Sequence, residues 1–225
     1  MTAPTPARSY WKPAPLPGRV TLRGQYVTLE PLNAERHAAA LWKAVCGHHE
    51  LWTWLFDGPY STEAGLRRAI EEKQAASSAV SLAIVPADSG LAGGWASLMH
   101  AEPAHGVVEV GNILLAPLLQ RTTVATEAMF LMASFVFDQL GYRRYEWKCN
   151  ALNLPSRRAA ERLGFTFEGI FRQHMVVKGQ NRDTAWYALL DREWPERKRA
   201  FEAWLDPRNF DAEGRQKTAL RNPSC

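Results

Sequence analysis

The chain has 225 residues, 46% of them hydrophobic and 22% charged, with a net charge of +4. That length suits one domain with a sizeable core, and the composition excludes a disordered or fibrous protein. The charge is too mild and scattered for a nucleic-acid partner but suits an anionic ligand.

Residues 1–18 read as a proline-rich arm, because Pro4, Pro6, Pro13, Pro15 and Pro17 deny it regular hydrogen bonding. The arm lacks the apolar core of a signal peptide. Residues 20–32 read as strand-rich, with a turn at Gly24-Gln25 and an end at Pro31. A helix is expected over 34–45 with Asn33 as its cap. The aromatic loop around Trp52, Trp54 and Phe56 leads to a second helix, capped by Ser61 and running to about Ala76.

Strands are expected at 80–85 and 94–99, divided by Pro86, Asp88, Ser89 and Gly90. A third covers 107–115, closed by Pro117. A long helix, apolar nearly all round, follows over 123–140 and stops at Gly141. Residues 143–149 alternate, with Tyr145, Trp147 and Cys149 on one face and Arg144, Glu146 and Lys148 on the other. A short helix spans 155–163 and ends at Gly164. A hairpin over 165–190 turns at 178–181, and a helical extension runs to about Leu205. The last twenty residues, without apolar periodicity, read as loosely ordered. This order of strands and helices predicts an α+β domain over 19–195, with a charged C-terminal extension over 196–225.

The longest apolar stretch, 128–136, is too short for a membrane span and is bracketed by Glu127 and Asp138. Cys46, Cys149 and Cys225 are widely spaced, with no disulfide framework and no metal-ligand pattern. Adjacent His48 and His49 lack a carboxylate at matching spacing, so no metal is expected. These features predict a cytoplasmic protein without a membrane partner.

The most informative junction is the passage from the strand at 107–115 into the helix at 123. Backbone N–H groups at a helix start lack partners, and the helix dipole places partial positive charge there. Gln120, Arg121, Thr122, Thr123 and Thr126 add side-chain donors. A phosphate is the expected ligand; the alternative is that these residues simply cap a helix.

Gln120-x-x-Thr123-x-Ala125 resembles the pyrophosphate loop of the GNAT superfamily of acyl-CoA-dependent N-acetyltransferases. About thirty residues on, Asn153-Leu-Pro-Ser156, followed by a helix ending in Leu163-Gly-Phe165, resembles that family's second signature. The order and spacing are most similar to the branch that includes the ribosomal-protein N-terminal acetyltransferases, over about residues 20–195. One departure is Thr123, where the family commonly has glycine. Its Cβ could crowd the pyrophosphate, or its hydroxyl could replace a contact. A second is Arg121, where a small residue is common.

The resemblance implies the GNAT fold, a mixed, mostly antiparallel twisted sheet flanked by helices. It implies acetyl-CoA as co-substrate and transfer of the acetyl group to a primary amine. The acceptor is expected to be a protein N-terminal α-amine of the alanine or serine type, with a small amine such as a polyamine or antibiotic as the alternative. A non-catalytic acyl-CoA-binding module is a further alternative, and homodimerisation is left open. The turn from Gln120 through Arg121, Thr122, Thr123, Val124 and Ala125 to Thr126 would hold the pyrophosphate. Backbone N–H groups at Ile113, Leu114 and Leu115 would face the thioester carbonyl. Gly111 offers a place for the bulge that the family carries on this strand, or else close packing.

Glu109 is the leading candidate for general base, with Glu146 as fallback. An otherwise apolar strand favours the protonated acid and suits a base working near neutrality; the competing reading is a salt-bridged strand carboxylate. Asn153 and Ser156 match cofactor-contacting positions, and Ser156 could protonate the departing thiolate. Arg157 could reach a phosphate or be a solvated helix charge. Trp52, Trp54 and Phe56 fall where the family covers its acceptor groove, though some of these rings are expected in the core.

Overall fold

A computed structural model describes residues 12–220. Pro4 and Pro6 of the expected arm, and Cys225, lie outside the described residues. In chain order the elements are β1 (Leu22–Arg23), β2 (Val27–Pro31), α1 (Ala34–Val45), α2 (Glu63–Ala75), β3 (Ala79–Pro86), β4 (Gly94–Glu102) and β5 (Val107–Leu115). There follow α3 (Thr123–Ser134), β6 (Arg144–Asn150), α4 (Leu154–Arg162), β7 (Thr166–Val177), β8 (Gln180–Leu190) and α5 (Trp194–Leu205). The strands form one eight-stranded sheet in the order β1-β2-β3-β4-β5-β6-β8-β7. Described neighbours are antiparallel except β5 and β6, which run parallel and are joined through α3. This is the expected α+β architecture.

Both sheet faces are covered. Val27, Leu29, Ile84, Leu98, Val108, Val110, Trp147 and Tyr187 pack with Ala128 and Met132 of α3 and Phe201 of α5. On the opposite face Ala83, Trp95 and Leu114 pack with Ala38 and Leu41 of α1 and Leu66 and Ile70 of α2. Burial of these side chains on two faces is the main force holding the sheet.

Local chemistry sets the element ends. Asn33 caps α1 as expected, accepting from Arg36 N. The cap of α2 is Thr62 and not Ser61; its hydroxyl accepts from Gly65 N at 3.1 Å. After Ser134 the long helix widens into a π turn, with Leu140 N bonded to Phe135 O at 3.0 Å, before Gly141 takes a φ of +70°. Arg197 closes α4: its Nε donates to Leu163 O at 2.9 Å and its Nη2 to Arg162 O. A Cβ on Gly164 would fall 2.5 Å from that Arg197 side chain.

Glu127, read from the sequence as a bracket on an apolar run, is buried in α3. Its carboxylate accepts from the backbone N–H groups of Gln25, Tyr26 and Val27 at 2.9, 2.6 and 2.9 Å. One side chain thus ties the β1–β2 turn to the helix below it. Gly24 leaves room, since a Cβ there would meet the Glu127 carboxyl carbon at 2.4 Å.

The ends are more ordered than the composition implies. Ala14 N donates to Pro103 O and Tyr142 Oη to Pro15 O, at 3.0 and 3.1 Å, so residues 14–15 of the arm are docked. The C-terminal stretch is not loose through residue 220: Trp204 Nε1 donates to Gln216 at 2.8 Å, Thr218 N donates to Asn209 at 2.9 Å, and Leu220 is buried. Phe201 and Leu205, beyond the boundary expected at 195, belong to the main core.

Candidate active site

The parallel pairing of β5 and β6 runs from Val107 with Arg144 to Val110 with Trp147 and ends there. Both strands continue, β5 to Leu115 and β6 to Asn150. α3 rises beyond the C-terminal end of β5 and α4 beyond that of β6, so two helix N-termini stand at the mouth of this gap. In open sheets, ligands are bound outside the carboxyl ends of parallel strands.

On its other edge β5 bulges. Ser97 pairs with Gly111 and Trp95 with Leu114, so Asn112 and Ile113 together oppose Ala96. Asn112 takes the strained conformation, with φ +48°. The bulge expected at Gly111 is therefore centred one residue later, because Gly111 keeps its partner. The glycine has a different use: a Cβ there would fall 2.7 Å from Met99 Sδ and 2.9 Å from Glu109 Oε1. Ala116 N donates to Gly93 O on the β4 side at 2.9 Å. Strand alternation then turns the N–H group of Leu115 toward the gap and that of Leu114 toward β4, while Ile113 lies in the bulge itself.

The turn before α3 is more self-contained than expected. Gln120 Nε2 donates to Leu115 O at 3.1 Å. Thr122 donates to Leu119 O at 2.7 Å and accepts from Ala125 N at 3.2 Å, so the helix is capped. Thr126 is buried, donating to Thr122 O at 3.0 Å and accepting from Arg162 at 3.2 Å. Three of the side chains expected to face a ligand are thus spent on the loop. Among the described residues, the N–H groups of Thr123 and Val124 have no protein partner, and the Arg121 side chain is exposed. The left-handed conformation of this turn falls on Arg121, with φ +62°. Thr123, at the position where glycine is common, is already the first helical residue and needs no unusual φ.

Glu109 is buried in β5 and is not surrounded by apolar groups alone. Its Oε2 accepts from Lys148 Nζ at 2.9 Å and contacts His100 Nδ1 at 2.8 Å. Lys148 also reaches Glu146 at 2.8 Å and lies 4.1 Å from the centre of the Trp186 ring. Burial pulls the Lys148 ammonium down, but the Glu109 and Glu146 carboxylates outweigh it, and the group is held above its ordinary value. Glu146, the fallback base, is likewise engaged, accepting from Arg144 Nε at 2.6 Å. The alternation of β6 placed Lys148 on a face read as polar. In the middle of the sheet that face is covered, so the charges pair with one another.

Across the gap, Asn153 caps α4 by accepting from Ser156 N at 3.2 Å. Ser156 Oγ accepts from Trp147 Nε1 at 3.0 Å, beside the buried Cys149 thiol, which burial pushes up. Arg157 is committed elsewhere: its Nε donates to Tyr187 Oη at 3.0 Å, and its guanidinium lies 5.4 Å from the Phe167 ring centre. The structure thus places this half-exposed side chain against Tyr187 of β8 and Phe167 of β7.

A cavity of about 360 Å³ opens beside the bulge, lined by Phe56, Asp57, Tyr60, Lys73, Met99 and Asn112 among others. Of the three rings expected to wall an acceptor groove, Phe56 alone lines it. Trp52 is core, packed on Tyr60 and Trp95 with ring centres 5.1 and 6.1 Å apart, and Gly58 fits against it. Trp54 is exposed outside the cavity. Arg182, which the sequence did not suggest, stacks on Phe56 at 4.8 Å. Met99, Asn112 and His100 were also missed, because bulges have no periodic signature. Among the described residues, no group of three His, Cys, Asp or Glu side chains could hold a metal, and no helix is long and apolar enough to cross a membrane.

Residues 27–166 match the acetyltransferase (GNAT) domain family. The chain belongs to that family and is an acyl-CoA-dependent acetyltransferase by membership. It is similar to a GCN5-related N-acetyltransferase of known structure from Brucella melitensis, with 50% identity and a TM-score of 0.91 over 93% of this chain and 96% of that one. A GNAT-family acetyltransferase from Chromobacterium violaceum is 39% identical, with a TM-score of 0.81 over 87% of this chain and 98% of that one. YdaF of Bacillus subtilis (strain 168), which carries the name of a ribosomal N-acetyltransferase, is 29% identical over 170 residues, 74% of this chain and 90% of its own.

Proposed function

We propose that the chain transfers an acetyl group from acetyl-CoA to the α-amine of a protein N-terminus of the alanine or serine type. The observation that carries this reading is the parting of β5 and β6 beyond Val110 and Trp147, with the α3 and α4 N-termini at its mouth. The free N–H groups of Thr123 and Val124, aided by Arg121, would hold the pyrophosphate. Acetyl-CoA supplies the activated acyl group as a thioester. The N–H groups of Ile113 and Leu115 would polarise its carbonyl oxygen. Ser156, at the start of α4, would pass a proton to the departing sulfur.

Glu109 would accept the proton of the amine through Oε1, which has no protein partner among the described residues. The cavity beside Phe56, Met99 and Asn112 would receive the rest of the acceptor. The name carried by YdaF supports a ribosomal-protein acceptor. The small-amine alternative draws on Asp57 in the cavity wall, but Lys73 already neutralises that carboxylate at 2.8 Å.

The test is thiol release from acetyl-CoA with peptides beginning Ala or Ser, compared with polyamines and aminoglycosides, and mass spectrometry of the products. Acetylated peptide α-amines are expected. Acetylated small amines alone would overturn the acceptor assignment. Tight binding of acetyl-CoA without turnover of any acceptor would mark a binding module instead.

A further inference from the structure

We propose that Lys148 is a positioning residue that holds the Glu109 carboxylate in the place and plane that keep one oxygen free for the acceptor amine. The inference rests on the reading that Glu109 takes the amine proton. The two oxygens of this buried carboxylate have unlike surroundings. Oε2 faces Lys148 Nζ at 2.9 Å and His100 Nδ1 at 2.8 Å. Oε1 has no protein partner among the described residues and lies beside Gly111, where a Cβ would come within 2.9 Å of it. That same point is 2.7 Å from Met99 Sδ, and Met99 lines the cavity. Oε1 therefore lies on the side of Met99, one side chain away from the cavity, and the missing Cβ leaves the space between them open.

Lys148 can hold this orientation because it is itself held. Its ammonium bridges to Glu146 at 2.8 Å and rests over the Trp186 ring at 4.1 Å. Glu146 is fixed in turn by Arg144, which also bonds Glu168 on β7. The lysine side chain is only 14% exposed, so water competes little for its donors. A carboxylate without such an anchor turns over a broad range about its last torsions, and its free oxygen no longer keeps one direction. His100 makes the second contact with Oε2 but is 63% exposed, and it is the weaker anchor. Lys148 transfers no proton and does not touch the acceptor; it acts through Glu109.

The experiment uses the full chain, acetyl-CoA and a peptide beginning with Ser, and compares Lys148→Met, Lys148→Arg, Glu109→Gln and the Met/Gln double variant. Lys148→Met is expected to lower kcat at neutral pH at least about tenfold, a loss within the range of general-base assistance. Acetyl-CoA affinity should stay within about twofold of wild type. Because free amine is abundant at high pH, the loss should shrink there. Lys148→Arg should recover most of the rate, and Lys148→Met should add nothing to Glu109→Gln, since both remove one function. Lys148→Gln replaces the Met variant if that chain does not fold. A wild-type kcat in Lys148→Met, or a loss additive to that of Glu109→Gln, would overturn the proposal while leaving Glu109 in place. A wild-type rate in Glu109→Gln would overturn both.

Discussion

Lys178, at the tip of the β7–β8 hairpin, donates from its ammonium to the carbonyl oxygen of Trp52 at 2.7 Å, 126 positions earlier in the chain. The same ammonium reaches Asp57 O at 3.0 Å. The hairpin can place it there because its two-residue turn takes positive φ at both Lys178 and Gly179, +50° and +75°, which matches the twist of the flanking strands. The loop that carries Phe56 into the cavity wall is thus pinned from across the sheet. Lys178→Met should raise KM for the acceptor several-fold while leaving acetyl-CoA affinity unchanged, as steady-state kinetics and calorimetry would show. An effect on acetyl-CoA alone would refute the link.

Glu127 offers a stability test away from the gap. Replacing it with Ala leaves three backbone donors of the β1–β2 turn without their acceptor. Charged hydrogen bonds and their unmade counterparts carry about 1.5–3 kcal/mol. Glu127→Ala should cost about 3 kcal/mol, read as a lower midpoint in urea with the slope unchanged.

Arg121 is the exposed cation of the turn before α3. Arg121→Glu puts a negative charge beside the expected pyrophosphate and should weaken coenzyme A binding at least about tenfold, or about 1.4 kcal/mol. Calorimetric titration with coenzyme A measures it. Unchanged affinity would move the phosphates elsewhere.

Ser156→Ala removes the acceptor for Trp147 Nε1. The fold should lose only about 1 kcal/mol. If Ser156 aids sulfur departure, kcat falls with acetyl-CoA affinity little changed; a fall in affinity alone marks it as a binding residue.

Glu168 predicts a pH effect. The hydrogen bond from Arg144 pulls its carboxyl below the ordinary range, against the opposing effect of burial. A depressed folded value means that its contribution is fully present above the unfolded value near pH 4.3 and is lost as pH falls through the folded value. Glu168→Gln should be less stable than wild type at neutral pH and equal to it in acid. Chemical unfolding at the two pH values decides this, and an equal deficit at both would show that packing, not ionisation, is involved.

Local signals were legible in the sequence where one residue sets one feature. Asn33 caps its helix, Gly141 ends its own, and the Gln120–Ala125 and Asn153–Ser156 segments lead to the two helix N-termini at the gap. What stayed hidden depends on which faces are covered. Lys148 reads as solvent-facing until β8 is known to pair with β6, and Trp52 reads as a binding ring until Gly58 and Trp95 are seen to enclose it. The tail from residue 206 to 220 carries no periodicity, because it is held by Gln216, Asn209 and one buried leucine and not by a repeating apolar face. The threonines at 122 and 126 carry donors, but nothing in the sequence says whether a hydroxyl serves a ligand or its own loop.

The lone parallel neighbour in the described sheet has a mechanical consequence. Strands β1–β5 form one antiparallel unit and β6–β8 another, and the seam between them is four residue pairs long. A molecule lodged where that seam opens touches both units at once, so it acts as a rivet between them. Such a rivet binds only the folded chain and shifts the unfolding equilibrium by mass action, by about 2.7 kcal/mol at a hundredfold excess over its Kd. Amide exchange in β6 and β8 should therefore slow when the gap is filled, even at positions far from any contact.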